Sequence, residues 1–132
     1  MYRDSTRLLF VYGTLMRGFP LHRLLEVGSE YLGPGTVEGS LQDLGSYPGA
    51  VRDGRGVVTG ELYRLAESAL LTRLDSVEGP QYHREKTRVR MADGRVVMAF
   101  IYWYVGPLDR GVPISDGDYR AHVPVRSIPR NV

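Results

Sequence analysis

The sequence predicts an α+β fold in which a small mixed sheet curls toward a barrel and carries two or three short helices. Short apolar runs bounded by glycine and proline predict strands, and two stretches place apolar residues at helical spacing. Sixteen glycines among 132 residues give the strands many points at which they can bulge or bend. A chain of this length fits one domain, so we expect a single domain over residues 1–132.

The first part of the chain is expected to alternate between strand and helix. Residues 8–12 form a nearly continuous apolar run, which is typical of a buried strand. A short helix is expected to begin at Pro20, because proline suits a first helical turn, and to end at Gly28. Residues 30–44 are expected to be extended, with a bulge or sharp bend at their glycines.

The middle of the chain contains two expected turns, at residues 47–49 and 52–56. The apolar pattern of residues 57–65 then predicts a well-defined strand. Residues 66–74 contain helix-forming residues with apolar side chains at helical spacing, so we expect a helix there.

The last part of the chain contains the clearest hairpin signal. Residues 86–91 alternate apolar and basic side chains, and Asp93-Gly94 is a strong signal for a type I′ turn. Residues 96–105 are apolar on both faces, as in a central strand. Residues 106–132 contain four prolines and are expected to form a loop-rich C-terminal tail, with room for one short helix at 115–122.

The composition argues against several classes of function. The chain has no cysteine, which excludes disulfides, thiol nucleophiles and thiolate metal sites. His22, His83 and His122 lack the spacing that brings two metal ligands onto one helical face. A metal site built from distant histidines and carboxylates stays open, but no spacing supports it. We therefore expect no metal and no cofactor.

Hydropathy and charge bear on location and partners. No apolar run reaches the roughly 20 residues of a membrane helix, and the N-terminus lacks a secretory signal, so we expect a cytoplasmic protein without a membrane partner. Sixteen of the seventeen basic residues are arginines spread along the chain with acids between them. The densest group, at residues 84–90, is typical of the solvent face of one strand, so we expect no nucleic-acid partner.

The segment VYGTLMRG at residues 11–18 ends the first apolar run abruptly. Glycine permits a positive φ and lets backbone N–H groups approach a ligand, and successive inward-pointing N–H groups bind anions. A plain tight turn also explains these residues, and the loop is neither a Walker loop nor a dinucleotide-binding loop. We predict that it presents main-chain N–H groups to a small, negatively charged ligand.

Glu78 is a second polar feature in apolar surroundings. It follows Leu74 and Val77 and precedes Gly79-Pro80, where we expect a helix to have ended. A carboxylate at such a junction can cap the helix or simply be solvated. If it is buried beside a pocket, its pKa rises and it can exchange a proton near neutral pH.

Four segments together resemble a known family. VYGTLMRG, GSYPGA, GELYRL and LDSVEGPQYHR occur here in the order seen in the gamma-glutamylcyclotransferase-like superfamily, and the likeness spans roughly residues 8–105. The sequence most closely resembles the gamma-glutamylamine cyclotransferase branch and small bacterial relatives. The resemblance implies the fold of that family and an enzyme that needs no cofactor.

The resemblance also implies roles for matched residues. Tyr12, Gly13, Thr14 and Leu15 match the substrate-binding loop, which holds the glutamyl group mainly through main-chain groups. Glu78 matches the catalytic acid–base glutamate.

A Y-x-R pattern follows that glutamate in the family, and Tyr82 and Arg84 match it. These two residues are expected to support the fold or the pocket rim. The tail after Gly106 matches poorly, so the resemblance implies no specificity residues there.

The implied activity is a gamma-glutamyl cyclotransferase reaction on a small-molecule gamma-glutamyl substrate. The substrate's α-amine attacks its own γ-carbonyl, which yields 5-oxoproline and an amine, with Glu78 as general acid and base. Two alternatives stay open: a non-catalytic small-molecule-binding protein of the same fold, and an enzyme that processes a gamma-glutamyl group on a larger metabolite. The preferred prediction requires Glu78 and the amides around Gly13 to face one cavity. The sequence predicts no oligomeric state.

Overall fold

A computed structural model of the chain describes residues 7–123. It contains the predicted α+β mixture of strands and short helices. In chain order the elements are β1 (Leu8–Val11), a 3₁₀ turn (Pro20–His22), α1 (Arg23–Glu26), β2 (Ser29–Glu38), β3 (Ser40–Asp43), β4 (Pro48–Val51), β5 (Val57–Leu65), α2 (Ala69–Glu78), β6 (Tyr82–Met91), β7 (Val96–Tyr104), β8 (Val112–Ile114) and α3 (Tyr119–His122).

Five of the strands close into a barrel, which confirms the predicted fold class. Their order is β1-β5-β2-β6-β7, and a parallel pairing of Leu9 with Phe100 joins β1 to β7. The other neighbouring pairs in the barrel are antiparallel. The second edge of β7 also pairs with β4, and β3 and β8 extend the sheet beyond it. The sheet is therefore mixed, and β7 is central, as its apolar sequence predicts.

The long strand β2 bends where its glycines predict. Its register against β5 shifts between Tyr31 and Gly33, and the strand ends just before Gly39. Both glycines have a positive φ, a conformation that is costly for residues with a side chain. The bend turns β2 around the barrel, whose interior is filled by large apolar side chains such as Phe10, Leu62 and Ile101.

Residues 47–49 do not form the predicted turn, because Pro48 and Gly49 belong to β4. A Cβ added to Gly49 would lie 2.6 Å from Cβ of Tyr104 on β7. Glycine is therefore needed here for the close approach of two strands. Pro48 is the first residue of β4, a position at which a missing N–H is tolerated.

The β6–β7 hairpin is confirmed, but its turn is not of type I′. That turn needs a positive φ at two residues, and only Gly94 has one, since no non-glycine residue within 7–123 has a positive φ. The Gly94 N–H donates to the Met91 carbonyl at 2.9 Å, and the Met91 N–H donates to the Arg95 carbonyl at 2.7 Å. The connection is a three-residue loop with glycine in its last position, and Asp93 keeps a negative φ.

The start of the predicted loop-rich tail contains more regular structure than its prolines suggest. Strand β8 pairs with β3, and α3 lies within the stretch where a short helix is expected. The part of the tail beyond residue 123 lies outside the described residues, and the single-domain assignment stays a prediction. Within residues 7–123, no helix is long and apolar enough to cross a membrane.

Candidate active site

A cavity of about 500 Å³ opens where the end of β1, the start of β4 and the end of α2 meet. Its size suits a small molecule. Tyr12, Gly13, Thr14, Leu15 and Glu78 all line it. The structure thus places all five residues that were predicted as catalytic or substrate-binding around one cavity.

The lining is mainly apolar and aromatic, with a single acidic group and no basic group. Among the described residues around the cavity, Glu78 alone carries a carboxyl group, and no lysine, arginine or histidine lines it. An anionic ligand must therefore be held by neutral hydrogen-bond donors. A ligand that carries a positive charge would be favoured by Glu78 when that residue is ionised.

The loop after β1 supplies such donors. The carbonyls of Gly13 and Thr14 accept hydrogen bonds from the N–H groups of Met16 and Leu21, both at 3.0 Å. The Leu15 carbonyl accepts one from Nδ1 of His22 at 2.9 Å. No hydrogen bond within residues 7–123 uses the N–H of residues 13, 14 or 15. Three successive N–H groups are therefore left for a ligand, as in backbone anion sites.

Gly13 is needed for a different reason from the expected positive φ, which it does not have. A Cβ at this position would lie 2.5 Å from Cγ of Pro48. Glycine lets the loop pack directly against the first residue of β4. The loop does contain a glycine with a positive φ, Gly18, at its far end.

The hydroxyl group of Tyr12 serves the fold. It donates to the Tyr102 carbonyl at 2.6 Å and accepts from the Ala50 N–H at 3.0 Å, which joins β7 to β4. Burial raises the pKa of Tyr12 well above its ordinary value, so the phenol stays neutral. Tyr12 can therefore contribute its ring and main chain to the cavity, while its hydroxyl is already engaged.

Glu78 is the last residue of α2, which begins and ends later than the predicted helix at 66–74. The helix stops at Gly79, whose φ of +84° is a conformation that glycine adopts readily and other residues do not. The Glu78 carboxyl group has no hydrogen bond or ion pair within the described residues. Burial raises the pKa of Glu78 from its ordinary 4.5 to about 7, which suits exchange of a proton near neutral pH.

Three tyrosines surround this carboxyl group. The charge of Glu78 contributes to the raised pKa values of Tyr12, Tyr82 and Tyr102, although burial is the largest cause for each. The Tyr82 hydroxyl donates to the Pro48 carbonyl at 2.7 Å. These phenols are neutral, and each already donates its hydrogen to a group other than Glu78.

Tyr82 lines the cavity, whereas Arg84 does not. Arg84 instead binds Asp75 on α2, with Nε and Nη2 donating to the two carboxylate oxygens at 2.8 and 3.0 Å. Gln81 also lines the cavity and was missed in the sequence, because nothing in its local pattern distinguishes it from a surface residue. Within residues 7–123, no group of three or more histidine, aspartate or glutamate side chains is arranged to hold a metal ion.

Comparisons with known proteins identify the family of the chain. A family model described as gamma-glutamyl cyclotransferase, AIG2-like, matches residues 9–121. The chain is 32% identical over 116 residues to a candidate gamma-glutamylcyclotransferase of Methanocaldococcus jannaschii, covering 85% of this chain and 94% of that protein. It is 37% identical over 71 residues to the gamma-L-glutamyl-butirosin B gamma-glutamyl cyclotransferase of Niallia circulans, covering 53% of this chain and 44% of that protein.

The fold has a close counterpart among solved structures. The crystal structure of an AIG2-like protein from Mus musculus superposes with a TM-score of 0.77 and 26% sequence identity, covering 96% of this chain and 97% of that one.

Proposed function

Because the chain belongs to the gamma-glutamyl cyclotransferase, AIG2-like family and is a gamma-glutamylcyclotransferase-like enzyme, we propose that it cleaves a gamma-glutamyl amide by intramolecular attack. The α-amine of the substrate attacks its own γ-carbonyl, and the products are 5-oxoproline and an amine. One observation carries the proposal. Glu78 lines the same cavity as residues 13–15, whose N–H groups are used by no hydrogen bond within residues 7–123.

The substrate supplies both reacting groups, so the protein must position them and move protons. In the proposed mechanism, ionised Glu78 first accepts a proton from the α-ammonium group. The free amine attacks the γ-carbonyl carbon, and the new C–N bond forms. Glu78 then donates its proton to the leaving nitrogen as the old C–N bond breaks. The remaining extra proton of the attacking nitrogen passes through Glu78 to the released amine, which leaves as an ammonium ion.

The loop N–H groups are proposed to hold the α-carboxylate of the glutamyl group. No lysine, arginine or histidine within residues 7–123 lines the cavity, so neutral donors are the partners that this part of the chain offers for this charge. The developing oxyanion on the γ-carbonyl needs a donor of the same kind. Because the loop offers three adjacent N–H groups, at residues 13, 14 and 15, it can serve one of these oxygens or both.

The cavity also favours particular leaving groups. A carboxylate on the leaving amine would find no cation among the described residues that line the cavity, and it would be repelled by ionised Glu78. We therefore propose that leaving amines without a carboxylate are preferred over α-amino acids.

The test is a matched pair of substrates that differ by one carboxylate. The amides of the glutamyl γ-carboxyl with propylamine and with 2-aminobutyrate are incubated with the purified protein, and 5-oxoproline is measured. We expect product from both, with kcat/KM at least about tenfold higher for the propylamide, a difference of about 1.4 kcal/mol. Glu78→Gln should abolish product while calorimetry still detects binding.

Full activity of Glu78→Gln would contradict the proposed role of that residue. Binding without turnover by the unaltered protein would favour a non-catalytic binding protein of the same fold.

A second candidate is an enzyme that removes a gamma-glutamyl group from a larger metabolite, and the likeness to the Niallia circulans protein favours it. Turnover of gamma-L-glutamyl-butirosin B but not of the propylamide would support that candidate.

A further inference from the structure

Asp75 ties the end of α2 to two strands of the barrel. Its two carboxylate oxygens accept hydrogen bonds from Nε and Nη2 of Arg84 on β6, at 2.8 and 3.0 Å. The hydroxyl of Tyr102 on β7 donates to Oδ1 of the same carboxylate at 2.7 Å. A single aspartate therefore connects the helix to two adjacent strands through three hydrogen bonds, two of them in a bidentate ion pair.

The helix needs this connection at its C-terminal end. Its buried apolar residues, Leu70, Leu71 and Leu74, all precede Asp75. In the last turn, Val77 is 46% exposed, so packing against the core does not fix this part of the helix. The polar contacts of Asp75 are what hold it against the sheet.

The same turn carries Glu78. Residues three apart lie on the same side of a helix, so the direction of the Asp75 side chain determines that of Glu78. The Gly79 N–H also donates to the Asp75 carbonyl at 3.1 Å, and the helix ends there. Holding Asp75 therefore fixes both the orientation and the termination of the turn.

We propose that Asp75, held by Arg84 and Tyr102, is a positioning residue that keeps the Glu78 carboxyl group inside the cavity. The proposal rests on the proposed function of Glu78. Without the three hydrogen bonds, the last turn of α2 can rotate or unwind, and the carboxyl group can reach water. Glu78 would then lose both its alignment with the substrate and the burial that raises its pKa.

The charges around Glu78 decide which variants are informative. The phenols that interact electrostatically with it belong to Tyr12, just after β1, to Tyr82 on β6 and to Tyr102 on β7, and they are neutral. Asp75 and Arg84 are the charged pair, so a change to one of them alone would alter the local charge as well as the position of Glu78. Two variants avoid this problem. Tyr102→Phe changes no charge, and the double variant Asp75→Asn/Arg84→Gln leaves the net charge unchanged.

The experiment measures kcat and KM for a gamma-glutamyl amide from pH 4 to pH 9. For both variants we expect kcat at pH 8 to fall by about tenfold to about a hundredfold. KM should stay within about threefold, because the loop that binds the substrate is unaltered. The acid inflection of kcat should move from about 7 toward 4.5, the ordinary value for a solvated glutamate.

A matched control is available on the β6–β7 turn. Nε of Arg95 donates to Oδ2 of Asp93 at 2.8 Å, and neither residue lines the cavity. The variant Asp93→Asn/Arg95→Gln should leave kcat, KM and the inflection as they are. Melting temperatures show which variants are folded.

A fall in kcat by the same factor at every pH, with no shift of the inflection, would overturn the proposal in favour of a purely structural role. Unchanged kcat, KM and inflection in a folded Tyr102→Phe or Asp75→Asn/Arg84→Gln variant would overturn it as well. If the double variant does not fold, the kinetics of Tyr102→Phe test the proposal alone, because this variant keeps the ion pair between Asp75 and Arg84. Full activity of Glu78→Gln is a separate outcome, since it would refute the proposed function itself.

Discussion

Glu78 combines burial with a position at the C-terminal end of a helix, and both features disfavour its charged form. Its pKa of about 7 therefore has a consequence for stability. Below pH 4.5 the group is protonated in the folded and unfolded states alike. Between pH 4.5 and 7 the unfolded state loses the proton first, so stability falls as the pH rises. Above pH 7 Glu78 is ionised in both states, and the folded state bears the full free-energy cost of burying the charged carboxylate.

Glu78→Gln should therefore stabilise the protein at pH 8 and not at pH 4. We expect the free energy of unfolding to rise by up to about 3 kcal/mol at pH 8, because glutamine carries no charge to bury. Urea unfolding at both pH values measures the effect, and the exposed Glu67→Gln is the control. An equal gain at the two pH values would contradict the burial argument.

Gly13→Ala should disturb the loop at residues 12–15, the proposed ligand-binding loop, by a steric effect that a second substitution relieves. Its Cβ would lie 2.5 Å from Cγ of Pro48, and overpacking of this kind costs about 1–3 kcal/mol. We expect an increased KM for the gamma-glutamyl amide. Pro48→Ala removes the ring carbon, so the double variant Gly13→Ala/Pro48→Ala should recover most of the loss. If the double variant does not recover, Gly13 is required for the backbone conformation of the loop and not for space beside Pro48.

For single residues, the sequence predicted which ones lie around the cavity but not always the physical reason for their identity. The loop at 12–15 and Glu78 were predicted as a site, and the structure places them around one cavity. The reason for Gly13 was wrong, because its contact with Pro48 joins positions far apart in the chain. Asp75 was missed for the same reason, since its partners lie on two other elements.

Among the elements, β4 was predicted as a turn and β8 as part of a loop-rich tail, and both are strands. Proline followed by glycine is a common turn signal, but here the two residues open a strand. What makes glycine necessary is the Tyr104 side chain on β7, which no local window of sequence contains. The β6–β7 hairpin differs in kind: its place is confirmed, and only its turn type is wrong. Aspartate-glycine suits both turns, and pairing of the two strands decides between them.

The misassigned strand β4 leads to a prediction about two nearby glycines. Gly49→Ala should lower the free energy of unfolding by about 2 kcal/mol or more, because the new Cβ would lie 2.6 Å from a Cβ of β7. Gly45→Ala should cost only about 1 kcal/mol, since its φ is positive but no atom lies within 4 Å of the added Cβ. Denaturant unfolding compares them. Equal losses would mean that the strands do not approach so closely.

At the scale of the whole molecule, Glu61 links three separate parts of the fold; at 5% exposure it is more deeply buried than Glu78 or any other charged residue within residues 7–123. Its carboxylate accepts hydrogen bonds from the Arg17 N–H at 3.0 Å, the Tyr63 hydroxyl at 2.8 Å and Nη2 of Arg120 at 2.8 Å. It thus links the loop after β1, the strand β5 and the helix α3. The sequence offered no sign of this, because the three partners come from separate segments.

The two members of the Glu61–Arg120 pair should differ in how much their loss destabilises the protein. Arg120→Gln removes the nearer of the two cations of a buried carboxylate and leaves only Arg17, whose Nε lies 3.6 Å from Oε2, so we expect a loss of about 2 kcal/mol. Glu61→Gln leaves an arginine whose side chain is 37% exposed and can reach water, so we expect a loss of about 1 kcal/mol. Urea unfolding of both variants and of the double variant at neutral pH tests the asymmetry. The reverse order would contradict it.

Closure of the barrel by a strand near the start of the described chain affects how the protein is made. β1 pairs with residues 61–64 on one edge and with Phe100 on the other. During synthesis its four apolar residues have both edges unpaired until these distant segments have left the ribosome. The loop at residues 12–15, which follows β1, cannot take its final conformation before these partner segments have emerged. A nascent chain stalled before residue 100 would therefore expose an unpaired apolar segment, which chaperones must hold to prevent aggregation.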